Sequence, residues 1–374
     1  MTEAVIAGFV RSPFHFANKG ALAGTRPDDL AAAVVRGLID RTGVKVEDIE
    51  DVLVGCAFPE GEQGLNVARL ISFIAGVPHS AGAATINRFC GSSMQAIHSA
   101  AGAIALGAGD VFICAGIESM SRVPMMGFNP MPNPDLAEKM PGAYVSMGIT
   151  AENLAKKYGI ARDAQEEFAV ASHAKAAKAR ESGKFNDEIV ALPAARDDGC
   201  IRPDATLAAL AGLKPAFDQN GVVTAGTSSP LTDGAAACLV VSSDYAKKHK
   251  LPVLAKIRSI AIAGCSPDIM GIGPVAATRK ALDRAGLSIN DIDIIEMNEA
   301  FAAQAMACLR DLNADMSRVN IDGGALAIGH PLGATGARIT GKAAALLQRE
   351  KKKYALATQC IGGGQGIATI LEVA

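Results

Sequence analysis

A duplication constrains this chain more than any other feature. Residues 32–58 (AAVVRGLIDRTGVKVEDIEDVLVGCAF) align without gaps on residues 275–301 (VAATRKALDRAGLSINDIDIIEMNEAF), at an offset of 243. Ala33, Arg36, Asp40, Arg41, Gly43, Asp48, Ile49, Ala57 and Phe58 recur as Ala276, Arg279, Asp283, Arg284, Gly286, Asp291, Ile292, Ala300 and Phe301. That spacing is far beyond the roughly 20–50 residues of a solenoid repeat, so two copies of one larger unit are expected. Each copy reads as a helix ending near a glycine, a short polar turn and a strand. The copies then keep step. Strand-like TIN (85–87) leads into a small-residue helix over 89–107 and the strand VFICAG (111–116); VNID (319–322) leads through a glycine-rich loop to a helix over 333–348 and the strand YALATQC (354–360). Strands alternating with helices predict layered α/β halves.

Between the copies the pattern breaks. Residues 119–147 hold Met120, Met125, Met126, Met131, Met140 and Met147 among Pro124, Pro130, Pro132, Pro134 and Pro141, which no single regular element tolerates. A charged amphipathic helix follows at 162–182, then loop to 218. The second copy has no counterpart, so this is an insertion, and insertions on a rigid scaffold commonly carry binding surface. The expected domains are 1–118 with 219–247, the inserted loop domain 119–218, and 248–374.

The 70 alanines and 39 glycines suit helices and backbones that approach closely, and 374 residues bury a core without staples. A net charge of −2 gives no basic footprint for nucleic acid and no polybasic membrane patch. The uncharged stretches 70–87 and 89–109 are interrupted by Pro78, His79, Asn87, Gln95 and His98, so buried elements are expected rather than membrane spans. The N-terminus, with Glu3, reads as a first strand rather than a signal peptide. Eight cysteines at 56, 90, 114, 200, 238, 265, 308 and 360 contain no C-x-x-C, and six histidines contain no H-x-x-x-H. Metal-site spacing is absent, and a reducing compartment is expected.

Four places could carry chemistry. Cys90, in NRFCGSSMQA, lies between a strand and the start of an apolar helix, whose partial positive charge would favour a thiolate nucleophile; its alternative is a buried packing cysteine. His330 stands alone among five glycines in GGALAIGHPLGATGAR, as a general base or a structural histidine. The phosphate-cradle reading fails because there is no G-K-[ST] and no G-x-G-x-x-G after a strand. Cys360 ends a strand before three glycines in QCIGGGQG, where backbone N–H groups could form an oxyanion hole or merely a turn. Asn298 and Glu299 follow an apolar strand in EMNEAF, at the end where α/β sheets bind ligands.

Together, and in this order, NRFCGSSMQA, MNEAFAAQ, GGALAIGHPLGATGAR and CIGGGQG resemble the thiolase family across essentially the whole chain. GEQGLNVAR (61–69), SMSRVPM (119–125), VTAGTSSPLTDGAA (223–236) and GCSPDIMGIGP (264–274) agree. The resemblance implies the thiolase fold: two duplicated layered α-β-α-β-α halves with an inserted loop domain. Thr227, where biosynthetic members carry Asn, and Ser146, where they carry His, place it nearer the degradative branch acting on 3-ketoacyl-CoA in fatty-acid oxidation than the branch condensing two acetyl-CoA. The segment 190–202 is short for the family.

The implied roles follow residue by residue. Cys90 is the acylated nucleophile, His330 takes its proton, and Cys360 is the second acid/base. Asn298 holds a water that stabilises the enolate oxygen with His330; the N–H groups of Cys90 and Gly362 form a second oxyanion hole. Arg202, Ser229, Met147 and Phe301 contact coenzyme A and the thioester. Coenzyme A is the co-substrate, with no permanent cofactor and no metal. A cytoplasmic homodimer or homotetramer is implied, with association in a β-oxidation complex of hydratase and dehydrogenase subunits. Two rivals are a decarboxylating ketosynthase-like enzyme, which generally lacks the second cysteine, and a non-catalytic carrier of CoA or lipid, which would lack one of the four central residues.

Overall fold

The computed structural model of the chain describes residues 2–374. The first copy contributes β1 (Ala4–Arg11), β2 (His15–Phe16), α1 (Pro27–Thr42), β3 (Asp51–Gly55), α2 (Val67–Ile74), β4 (Gly82–Ile86), α3 (Ser92–Ala105) and β5 (Val111–Ser119). The insertion holds α4 (Pro134–Lys139), α5 (Met147–Tyr158), α6 (Arg162–Glu181) and α7 (Leu207–Ala211), joined by irregular chain. After it come β6 (Thr232–Ser242) and α8 (Ser243–His249), which complete the first half. The second half comprises β7 (Ala255–Gly264), α9 (Gly273–Ala285), β8 (Ile294–Met297), α10 (Ala302–Leu312), α11 (Ala325–Ile328), α12 (Leu332–Arg349), β9 (Tyr354–Ile361) and β10 (Gln365–Glu372).

The duplicated segment folds alike in both places because its local signals are alike. Helix α1 starts with proline in its first turn beside Asp28 and Asp29, and closes on Gly43 in the left-handed region at φ 65°. Helix α9 also has a first-turn proline and closes on Gly286 at φ 70°. Proline and acidic residues suit a helix start; a left-handed glycine suits its end. In each copy a single 3-10 turn then delivers the strand, β3 or β8.

Strand order is β4-β3-β5-β6-β1-β7-β10-β9-β8, with β2 beside β6. The two halves join edge to edge only where Val5 and Ile6 pair with Lys256 and Ala255. Parallel pairing of β3 with β5 (Val54 to Ala115) is matched, at the offset of 243, by β8 with β9 (Met297 to Thr358). One cluster of buried residues packs α1 and α2 on the first half's sheet, and another packs α9 and α10 on the second's. The third lies between the sheets and contains α3 and α12. The result is the expected layering, with these two helices in the middle.

Small residues make that middle layer possible. A Cβ on Gly336 would fall 2.2 Å from the Met94 backbone nitrogen, so α12 lies directly on α3. The Ala337 N–H donates to Ser93 Oγ at 2.8 Å and fixes the register. The two helix starts therefore stand side by side.

One expected strand is missing. VNID forms only an isolated bridge between Val319 and Ile295. Asn320 explains it: at φ 43° it leaves the extended region, and its amide accepts from Met297 N–H (3.0 Å) and donates to Met297 O (2.9 Å). A side chain has taken over the ladder's hydrogen bonds.

Candidate active site

The two central helices occupy corresponding places in their copies, α12 starting three residues earlier on the offset of 243, and a candidate residue precedes each by two positions. Cys90 precedes Ser92 of α3, and His330 precedes Leu332 of α12. Cys360 lies at the end of β9, wholly buried. Asn298 follows β8, its N–H donating to Thr358 O on β9 at 3.0 Å. All four occupy the carboxyl ends of strands or the starts of the helices that follow them.

The histidine's protonation follows from its partners. Thr335 Oγ1 donates its only proton to Pro331 O at 2.9 Å, so it accepts from His330 Nδ1, 2.6 Å away. That leaves the proton on Nδ1 and a lone pair on Nε2. Asn298 Nδ2 donates to this Nε2 at 3.3 Å. The backbone N–H of His330 donates to Thr232 Oγ1 at 3.0 Å, which fixes the loop. Burial, followed by the Arg338 charge, pulls the imidazole down to about 3, so it rests neutral. The Oδ1 of Asn298 is buried and has no protein partner, an acceptor held ready beside the imidazole.

Cys90 corrects one expectation. The helix start was to favour its thiolate, yet burial pushes the thiol up to about 12. The N–H groups of Gly362 and of Cys90 itself reach the sulfur and oppose this, while the Glu118 charge adds to it. Magnitudes decide the balance. A helix terminus contributes about 0.3–1 kcal/mol, under one pKa unit, whereas full burial moves a pKa by up to roughly 3–5 units. The resting thiol is neutral, and its ionisation requires a base. Cys360 is likewise raised, first by burial and then by Cys90.

The remaining candidates divide into two groups. Met147, at the start of α5, and Phe301, before α10, pack with Cys360 in one apolar cluster. The Phe301 ring meets Phe217 edge-on at 5.8 Å. A Cβ on Gly362 would lie 3.5 Å from Met147 Sδ, so Met147 sits over the glycine that faces Cys90. Ser229 is held beside them through its N–H to Ala300 O at 2.9 Å. Arg202 lies apart on an exposed loop, its backbone N–H donating to His173 Nδ1 and its guanidinium 5.3 Å over the Phe16 ring.

Several residues around the centre escaped the sequence reading. Thr335 carries a signal in retrospect, since position five after His330 lies on the first turn of α12. Gln359 gave none; its amide donates to the Cys90 carbonyl, tying the strand of Cys360 to the nucleophile's backbone. Glu118 is the penultimate residue of β5, and its signal was a lone acid within the otherwise uncharged run VFICAGIES. Phe89 stands at φ 42°, a left-handed backbone that costs a bulky residue on the order of 1–3 kcal/mol. Its N–H donates to Asn87 Oδ1 at 2.9 Å and its carbonyl accepts from Ser92 Oγ at 2.6 Å, which hold the turn into Cys90. The eight cysteines are all free. No group of three metal-ligating side chains occurs among the described residues, and no described helix is long and apolar enough to cross a membrane.

The thiolase N-terminal domain matches residues 4–244 and the thiolase C-terminal domain matches residues 251–373. This chain belongs to the thiolase family. It is 46% identical over 391 residues to the 3-ketoacyl-CoA thiolase of Bacillus subtilis, and 48% over 389 to that of Idiomarina loihiensis, each alignment covering 100% of both chains. Human mitochondrial 3-ketoacyl-CoA thiolase in complex with CoA superposes with a TM-score of 0.93 at 36% identity, over 100% of this chain and 98% of that one. The family assignment makes the chain an acyltransferase, with the thiolase fold its sequence implied.

Proposed function

We propose that this thiolase cleaves 3-ketoacyl-CoA with coenzyme A, giving acetyl-CoA and an acyl-CoA shortened by two carbons. The observation that carries the reading is the neutral His330, its lone pair on Nε2 beside Asn298, two residues before one central helix, with Cys90 two residues before the other and facing Cys360. His330 Nε2 takes the proton of Cys90, whose thiolate attacks the 3-keto carbon. The N–H groups of Cys90 and Gly362 receive the oxyanion. The C2–C3 bond breaks, and its electrons pass to the enolate of acetyl-CoA, whose oxygen faces His330 and a water held by Asn298. Cys360 donates the proton that completes acetyl-CoA. The incoming CoA thiol then gives its proton to Cys360, and its thiolate releases the acyl group from Cys90. One lost oxyanion donor typically costs about 3–4 kcal/mol, a hundred- to a thousandfold in rate.

Coenzyme A is the co-substrate, with Met147, Phe301 and Ser229 beside the reacting thioester and Arg202 towards the nucleotide. The relatives' names support cleavage over condensation. Presence of Cys90, His330, Asn298 and Cys360 together disfavours a non-catalytic carrier. A cytoplasmic homo-oligomer, alone or within a β-oxidation complex, fits the same reading.

Thiolysis assayed across 3-ketoacyl-CoA chain lengths tests the activity. Cys360→Ala is expected to accept an acyl group from acyl-CoA while carbon–carbon cleavage collapses. Failure to trap acyl-enzyme on Cys90 of that variant, by intact-mass spectrometry, would overturn the roles. Nearly full activity of Cys90→Ser would do the same.

A further inference from the structure

Duplicated elements ought to present equal chemistry at their ends, and here they do not. On the frame set by β3–β5 and β8–β9, Glu118 corresponds to Ile361 at the offset of 243. Both side chains are buried, and each reaches the central helix of the other half. Ile361 meets the start of α3, where its Cδ1 would lie 2.6 Å from a Cβ on Gly91. Glu118 meets the start of α12, its Oε2 accepting the Gly333 N–H at 2.9 Å. The same carboxylate accepts from Ala57 N–H (2.8 Å), Phe58 N–H (3.3 Å) and Gln63 Nε2 (2.8 Å), with the Cys56 thiol 3.8 Å away. Burial raises this carboxyl above its ordinary range, and the four N–H donors, Gly333 at the helix start among them, oppose that and favour its charged form. The helix behind His330 thus begins on a negative charge; the helix behind Cys90 begins on hydrocarbon.

We propose that Glu118 is a positioning residue that makes these two equivalent helix starts chemically different. It cancels the positive end of α12 so that His330 can receive a proton, and leaves the end of α3 to a Cys90 thiolate. The step it serves moves one proton from Cys90 Sγ to His330 Nε2, giving thiolate and imidazolium with no further reactant. The other charges are accounted for. Arg338 faces His330 and opposes the imidazolium. Cys360 faces Cys90. Asp233 is held on Ser119 and Ser121 beside Glu118. Burial is what chiefly keeps the Cys90 thiol protonated, and the Glu118 charge adds a smaller contribution in the same direction. Without it, then, the thiol should become more acidic while turnover becomes slower. Looser packing that admits water would also make the thiol more acidic, so the charge-keeping Glu118→Asp and the charge-adding Ile361→Glu separate the two causes.

This inference rests on the roles given above to Cys90 and His330, and its main readout needs no turnover. The experiment is the pH dependence of iodoacetamide alkylation at Cys90, read by peptide mass spectrometry, alongside thiolysis kinetics. For Glu118→Gln, the alkylation midpoint should fall and kcat should drop at least tenfold, with KM within about threefold. Glu118→Asp, which keeps the charge, should hold the midpoint near that of the parent enzyme. Ile361→Glu, which adds a matching carboxylate to the start of α3, should raise the midpoint and slow acylation, and it decides the matter if the Glu118 variants do not fold. An unmoved midpoint in Glu118→Gln or Ile361→Glu, or equal behaviour of Gln and Asp at 118, would overturn the proposal. A parent enzyme that alkylates as described but cleaves no 3-ketoacyl-CoA would overturn the proposed function instead.

Discussion

At the residue scale, the proposed chemistry depends on side chains that hold one another in defined protonation states. Thr335 is the plainest case, because its single hydroxyl proton goes to Pro331 O and so commits the imidazole proton to Nδ1. Thr335→Val keeps the shape and removes that acceptor. It is expected to lower kcat roughly tenfold to a hundredfold, part of the 10²–10⁴ that a positioned general base supplies, with little change in KM. Steady-state thiolysis kinetics check this; a kcat within twofold of the parent's would show that the tautomer is set elsewhere. The motifs around Cys90, His330 and Cys360 were legible because glycine, proline and small residues crowd any chain segment that must approach a ligand. Thr335, Gln359 and Glu118 were less so. The partners of Gln359 and Glu118 lie on other elements, at sequence separations of up to 269 for Gln359 and Cys90, while Thr335 bonds within five residues but has no distinctive residue type to mark it.

At the element scale, the duplicated helix, turn and strand were readable because each is specified by residues within a few positions of one another. The missing strand at VNID was not, since a strand needs a partner and Asn320 supplies the partner's bonds from its side chain. Contact between α3 and α12 carries the site, and two glycines separate packing from propensity there. Gly336→Ala puts a methyl group 2.2 Å from the Met94 nitrogen and should destabilise by about 1–3 kcal/mol, the usual cost of overpacking. Gly102→Ala, on α3 with no atom within 4 Å of the new Cβ, should stabilise by up to about 1 kcal/mol. Urea denaturation of both variants decides the point, and equal shifts would show that the helices can move apart.

At the scale of the whole molecule, enclosure between two sheets controls titration. His98 on α3, bonded to Thr369 Oγ1 at 2.8 Å, and His330 are both pulled down to about 3 by burial. An unfolded histidine titrates near 6.5, so between pH 6.5 and 3 the unfolded chain binds protons that the folded chain refuses. The stability held by the two neutral imidazoles is complete above pH 6.5 and is lost as the pH falls towards 3. The urea midpoint should therefore decline from pH 6.5 to 4, and less steeply in His98→Gln. Parallel declines in the two proteins would remove His98 from the account.

By itself, the sequence determined the two-copy α/β architecture, the family, and the four residues around which chemistry was expected. Those properties follow from local spacing, repeated patterning and clustered glycines, all of which are linear in the chain. Only the tertiary structure decided the chemical state of those residues. Whether Cys90 rests as thiol or thiolate depends on burial, which outweighs the helix start beside it. The different surroundings of two equivalent helix starts depend on which side chain the other half presents, a carboxylate at 118 and a methyl group at 361. Electrostatic surroundings are summed over neighbours in space, and a duplicated sequence does not state which neighbours those are.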